Sequence, residues 1–168
     1  QYGFKLAKLR NRQRRVSLVH KANVLKESDG MFRRVCSEIA SLNPDIQFEE
    51  MYVDACAMNL IRKPQDFDII VTSNLFGDII SDEAAQVVGG LGMGPAANIG
   101  NDFGVFEPVH GAAFDIQGKN VSNPTSILLS ARLMLQWLGA ERGDKQATLE
   151  GDRIENAILR MLTENKKT

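Results

Sequence analysis

The stretch FDIIVTSNLFGDIISDEAAQ, residues 67–86, decides the architecture. Its opening, FDIIVTS, is a continuous apolar run of the kind that forms a strand buried on both faces. The residues after it read as a helix from about Asp78 to Val88, so a strand feeds directly into a helix. That helix carries Asp78 and Asp82 four residues apart, which puts both carboxylates on one face. Acids near a helix N-terminus can simply satisfy the macrodipole. Two hard oxygen donors so spaced can also hold Mg²⁺ or Mn²⁺ and leave positions for water and substrate. Spacing leaves both readings open. A cation would need a third ligand, and Asp54, just past another strand, is a candidate.

Upstream, the same alternation recurs. Phe4, Leu6, Ala7 and Leu9 predict a helix ending near Asn11, and VSLVH (16–20) predicts a strand. Met31, Phe32, Val35, Cys36 and Ile39 have helical spacing, with Ser28 or Asp29 as the expected cap and NPD (43–45) as the break. IQFEEMYV (46–53) predicts a strand and ACAMNLIR a short helix closed before Pro64. The order βαβαβα argues for a layered α/β fold with mostly parallel strands.

Downstream the texture changes at GGLGMGPAANIG (89–100), expected to be a boundary or hinge between a domain over 1–88 and a second over 89–168. Gly92-x-Gly94-x-x-Ala97 imitates a dinucleotide fingerprint, but it follows a helix rather than a strand, and Pro95 interrupts any helix opening there. The fold is therefore not expected to be a Rossmann GxGxxG fold. A strand-like FGVFEPV, a loop from His110 to Asn123 and two helices complete the chain, with Pro124 in the first turn of one of them.

Composition narrows the class. The 168 residues are 43% hydrophobic and 24% charged with a net charge of -1, which is globular rather than disordered. No apolar run has transmembrane length and no leader is visible, so the expectation is a soluble, cytoplasmic protein without a membrane partner. Cys36 and Cys56 lack metal-type spacing and are expected to be buried, reduced thiols. Half of the Lys and Arg residues precede residue 35. In KLAKLRNRQRR no aromatic interleaving supports a nucleic-acid surface, and a solvated helix face is expected instead.

Two further segments bear on chemistry. In HKAN (20–23), Lys21 follows a strand end and could act as a base if a nearby cation lowered its pKa; the alternative is an exposed loop lysine. His20 is either a group supporting that site or an ordinary strand-end residue. EPVHGAAFDIQGKNVSNPT (107–125) is a long loop, and loops of this length in compact domains are commonly functional. His110, Asp115 and Asn123 suit the stacking surface, ribose hydroxyls and base edge of a nucleoside; Asx turns in a surface loop are the alternative.

Taken in order, VHKANVLKESDGMF, MYVDACAMNLIRKPQDFDIIVTSNLFGDIISDEAAQVVGGLG, PAANIG and FEPVHGAAFDIQGKNVSNPT resemble the metal-dependent decarboxylating dehydrogenases of 3-isopropylmalate, isocitrate and homoisocitrate. The run VTSNLFGDIISDEA with HGAAFDI is most similar to the archaeal-type 3-isopropylmalate branch. The resemblance implies NAD and Mg²⁺ or Mn²⁺ as cofactors, and a 2-hydroxy di- or tricarboxylic acid as substrate. It implies a homodimer or higher assembly with shared sites: the metal ligands Asp78 and Asp82 from one protomer, and from the other the catalytic Lys21 and Asp54, with Asp54 also a metal ligand. Asn23 would lie beside substrate, and Glu107, His110, Gly111, Asp115, Ile116 and Asn123 would contact NAD. Asp115 and Ile116 stand where NADP-using relatives often carry Lys-Tyr, which favours NAD. The family's catalytic tyrosine and substrate-reading arginines match no position here, so the chain resembles a central to C-terminal segment expected to be inactive alone. A non-catalytic regulatory subunit is the reading from another class; such subunits tend to lose metal-site acids, whereas Lys21, Asp54, Asp78 and Asp82 are all present.

Overall fold

The computed structural model describes residues 1–164. The chain divides into two compact units, Gln1–Val87 and Val88–Thr168. The first holds α1 (Tyr2–Arg10), β1 (Arg15–His20), α2 (Ser28–Ser41), β2 (Gln47–Tyr52), α3 (Val53–Arg62), β3 (Ile69–Val71) and α4 (Asn74–Val87). The second holds β4 (Pro95–Ile99), β5 (Gly104–Pro108), α5 (Thr125–Arg142) and α6 (Lys145–Thr163).

In the first unit all strands are parallel in the order β2-β1-β3. Parallel neighbours need crossovers, supplied by α2 between β1 and β2 and by α3 between β2 and β3. Central β1 is the most deeply buried: Val16, Leu18 and Val19 are at most 1% exposed. Full burial of each contributes about 1.5–3 kcal/mol. Side chains alternate across a strand, and two clusters result. Val16 and Ile69 pack with Phe4 and Ala7 of α1 and with Ile39 of α2. Val19 and Ile70 pack with Cys56 and Leu60 of α3 and with Ile80 of α4. Helices thus cover both faces of the sheet, an α/β layering with no Rossmann fingerprint. Gly92 lies in a 3-10 turn, Leu91–Met93, and Pro95 opens a strand rather than a helix.

Several expectations need correction. FDIIVTS forms only the three-residue β3 at the sheet edge, with Ile69 buried but Ile70 and Val71 half-buried. Its pairing with β1 stops at Leu18↔Val71, and α4 starts three residues later. Gly77 allows this early start, because a Cβ there would stand 3.3 Å from Thr72 Cγ2. In the second unit PAANI is a strand, β4, paired antiparallel with β5 from Pro95↔Pro108 to Ile99↔Gly104. Pro124 is the N-cap of α5 rather than a residue of its first turn.

Both cysteines are free, but only Cys56 is buried; Cys36 is half-buried. Burial pushes the Cys56 thiol up to about 11, so it stays protonated and unreactive at neutral pH. The basic N-terminal run is tied down by ion pairs and hydrogen bonds. Arg10 Nε reaches the buried Asp68 carboxylate at 3.1 Å, Lys8 reaches Asp45 at 3.1 Å, and Arg15 donates to the Asp66 carbonyl at 2.8 Å. No helix is long and apolar enough among the described residues to cross a membrane.

Candidate active site

Parallel pairing sets His20 opposite Tyr52 at the C-terminal ends of β1 and β2. Lys21 and Asp54, one and two residues further on, therefore leave the same sheet edge, where ligands bind in open α/β sheets. They meet there: Lys21 Nζ donates to Asp54 Oδ1 at 2.5 Å. The ammonium also lies 5.5 Å from the centroid of the Tyr52 ring, a cation–π contact. The bond from Lys21, then backbone N–H groups, hold the Asp54 carboxyl below the usual carboxylate range. Asp54 is thus ionised at neutral pH, and the pair is lost only as pH falls through that lowered value.

Lys21 is anchored at its backbone. Its N–H donates to Asp29 Oδ2 at 2.7 Å, and the Ala22 N–H donates to His20 Nδ1 at 3.1 Å. The Val24 and Leu25 amides close the turn on the Lys21 carbonyl at 2.9 and 2.8 Å. The expected cap of α2 by Ser28 or Asp29 does not form. Glu27 occupies the N-cap position without a side-chain cap bond, and Asp29 turns its buried carboxylate to the Lys21 amide instead. Asn23 is exposed, two residues from Lys21.

Asp78 and Asp82 sit deeper in their helix than expected. Because α4 begins at Asn74, no acid falls in its first turn. The dipole's influence fades within that turn, so helix-end electrostatics does not account for Asp78 and Asp82. Both are exposed. Leu75, Asp78, Ile79 and Asp82 have i, i+3, i+4, i+7 spacing and form one stripe, with Leu75 66% and Ile79 58% exposed. Only Ile80 of the two isoleucines packs into the core. Helix α3 carries a matching exposed stripe of Asp54, Met58 and Ile61.

Among the described residues no three His, Cys, Asp or Glu side chains converge on one point that could hold a metal. Asp54 therefore does not join Asp78 and Asp82 within one chain. The first unit carries two part-sites, Lys21 with Asp54 and Asp78 with Asp82. Each offers hard carboxylate oxygens suited to Mg²⁺ or Mn²⁺, and neither completes a coordination shell alone.

In the second unit the loop after β5 places Gly111 and Asp115 on the surface, with His110, Ile116 and Asn123 half-buried. Glu107, exposed on β5, accepts from Asn98 Nδ2 of β4 at 2.9 Å. His110 Nδ1 lies 3.0 Å from the Gly111 carbonyl. Asn123 Oδ1 accepts from the Thr125 amide at 2.9 Å and from its hydroxyl at 2.6 Å, an Asx turn that starts α5. Phe114, Asp115 and Ile116 form one 3-10 turn. Sequence reasoning missed Asp29, Tyr52 and Asn98. Asp29 was legible only as a helix cap, and Asn98 lay in a segment not read as a strand.

Comparison with known proteins gives this geometry a family. The chain is 48% identical over 168 residues to the 3-isopropylmalate dehydrogenase of Archaeoglobus fulgidus, covering all of this chain and 49% of that protein. It is 45% identical over 166 residues to a mitochondrial NAD isocitrate dehydrogenase regulatory subunit of Dictyostelium discoideum, covering 98% of this chain and 45% of that one. The crystal structure of isocitrate dehydrogenase from Methylococcus capsulatus superposes with a TM-score of 0.89 at 43% identity, over 99% of this chain and 47% of that one. The chain thus spans about half the length of the curated relatives it matches. The family pattern for isocitrate/isopropylmalate dehydrogenase matches residues 1–168, and the chain belongs to that family.

Proposed function

We propose that the protein is a metal-dependent, NAD-linked decarboxylating dehydrogenase of a 2-hydroxy acid, 3-isopropylmalate before isocitrate or homoisocitrate. The observation that carries this reading is the Lys21–Asp54 pair at the C-terminal edge of the parallel sheet. It sets the Lys21 ammonium against an ionised carboxylate. A cation taken up by Asp54 would displace that ammonium and favour its neutral form, which could then accept a substrate hydroxyl proton. Similarity to the archaeal enzyme supports the choice of substrate. Retention of Lys21, Asp54, Asp78 and Asp82 argues for a catalytic rather than a regulatory role.

Asp54, Asp78 and Asp82 would hold Mg²⁺ or Mn²⁺. A bound cation would supply positive charge that favours ionisation of the substrate hydroxyl and offsets the negative charge that develops as CO₂ leaves, and NAD would serve as hydride acceptor. Lys21 Nζ takes the hydroxyl proton, directly or through water. Asn23 lies beside substrate. In the second unit Asp115 would accept from ribose hydroxyls, while Glu107, His110, Gly111, Ile116 and Asn123 would line an NAD site.

The exposed stripes on α3 and α4 fit a second copy of this chain. Such a dimer would cover Met58, Ile61, Leu75 and Ile79 and bring one protomer's Lys21 and Asp54 to its partner's acids on α4.

Assaying full-length protein with each of the three acids, Mn²⁺ and NAD tests the reading: NADH and CO₂ form together, fastest with 3-isopropylmalate. No NADH with any of the three would reject it. Asp115→Lys is expected to shift the NAD-to-NADP preference by about 10-fold or more, since a cation replaces a carboxylate that repels the 2′-phosphate. An unchanged ratio of kcat/KM values would remove Asp115 from the ribose site.

A further inference from the structure

We infer that Asp29 is a positioning residue for Lys21, acting through the lysine's backbone amide. This inference rests on the proposed role of Lys21 as the base. Asp29 is 6% exposed. A carboxylate at that depth needs hydrogen-bond partners. Its Oδ2 accepts from the Lys21 amide at 2.7 Å, the short length of a charge-assisted bond.

The bond joins two elements. Asp29 stands in the first turn of α2, and its own amide donates to the Leu25 carbonyl at 3.1 Å. Lys21 is the first residue beyond β1. The side chain therefore spans the turn from 21 to 27, fastening its start to the first turn of α2. His20 adds a second clamp one residue on, with Nδ1 accepting from the Ala22 amide and the ring edge-on to Tyr52 at 5.6 Å between centroids. Together these bonds fix the Lys21 backbone at the sheet edge, so that the flexible lysine stem searches little space before reaching Asp54. A freely moving turn would keep the same side chains but lose the alignment, and misplacement by about 1 Å can cost about 100-fold in rate.

The test compares Asp29→Ala, Asp29→Asn and Asp29→Ser in the full-length protein. Asparagine keeps an acceptor oxygen at the same reach, alanine removes it, and serine is too short to span the gap. Three readouts are taken: hydrogen exchange of residues 18–25, acylation of Lys21 by a soluble ester, and the split of kcat against KM. Asp29→Ala should raise exchange at the Lys21 amide and speed Lys21 acylation. Its kcat should fall by about 30–100-fold with KM changed by less than about 3-fold, because alignment rather than binding is lost. Asp29→Ser should follow alanine, and it serves if alanine fails to fold. Asp29→Asn should stay within about 5-fold of the unaltered protein in every readout, since the hydrogen bond survives without its charge. Unchanged exchange in the alanine and serine variants would overturn the inference. So would an asparagine variant as impaired as alanine, or a loss expressed in KM alone. If the unaltered protein oxidises none of the three acids, the proposed function fails, while exchange and acylation still decide whether Asp29 holds Lys21.

Discussion

Asp82→Asn in the full-length protein is expected to lower turnover by well over 100-fold and to raise the Mn²⁺ concentration needed for half-maximal rate. Removing an outer-shell partner of a metal site typically costs 10–100-fold, so loss of a direct anionic ligand should exceed about that range. Asp82 lies two turns into α4 and is exposed, with no macrodipole role to lose. The change therefore leaves the fold intact, and thermal unfolding without metal should stay within a few degrees of the unaltered protein, as for a surface substitution. Titrating Mn²⁺ against rate checks it. An unchanged rate and metal dependence would remove Asp82 from the site.

Lys21→Ala is expected to reduce kcat by roughly 10²–10⁴-fold, the usual contribution of a positioned acid–base group. Unlike the Asp82 change, it should leave metal binding in place, since lysine supplies no metal ligand. KM should move little, because the amine acts on the proton in the transition state rather than on binding. Removing the amine also frees Asp54 from its ion pair, so the Asp54 carboxyl should titrate at higher pH than in the unaltered protein. Steady-state kinetics with a calorimetric Mn²⁺ titration separates the two variants. A Lys21→Ala protein with near-normal kcat would show that another group takes the proton.

The sequence made the first unit's layering legible because its core strands follow their local rules. VSLVH is β-branched and apolar, and it became the buried centre of the sheet. Strand β3 was overread for the same reason: apolar content in FDIIVTS says nothing about where neighbouring strands stop pairing. Helix α4 starts a turn earlier than expected, at Asn74, and Gly77 within that turn packs close to Thr72. Strand β4 was missed because PAANI is defined by its partner β5 rather than by its own propensity. At the site, the i, i+4 acids were visible but their environment was not. That Ile79 faces out beside them, and that Asp29 turns back to Lys21, depend on tertiary contacts no spacing rule encodes.

If, as proposed, each site is completed by residues from two chains, complementary variants should rescue one another. Lys21→Ala and Asp82→Asn protomers, each nearly inactive alone, are coexpressed in equal amounts. If sites are shared, mixed dimers hold one doubly altered site and one intact site. With random pairing, about a quarter of unaltered activity should return. If one chain carried Lys21, Asp54, Asp78 and Asp82 in a single site, no pairing could restore an intact set. Activity no greater than the sum of the two variants would show that the sites are not shared between chains.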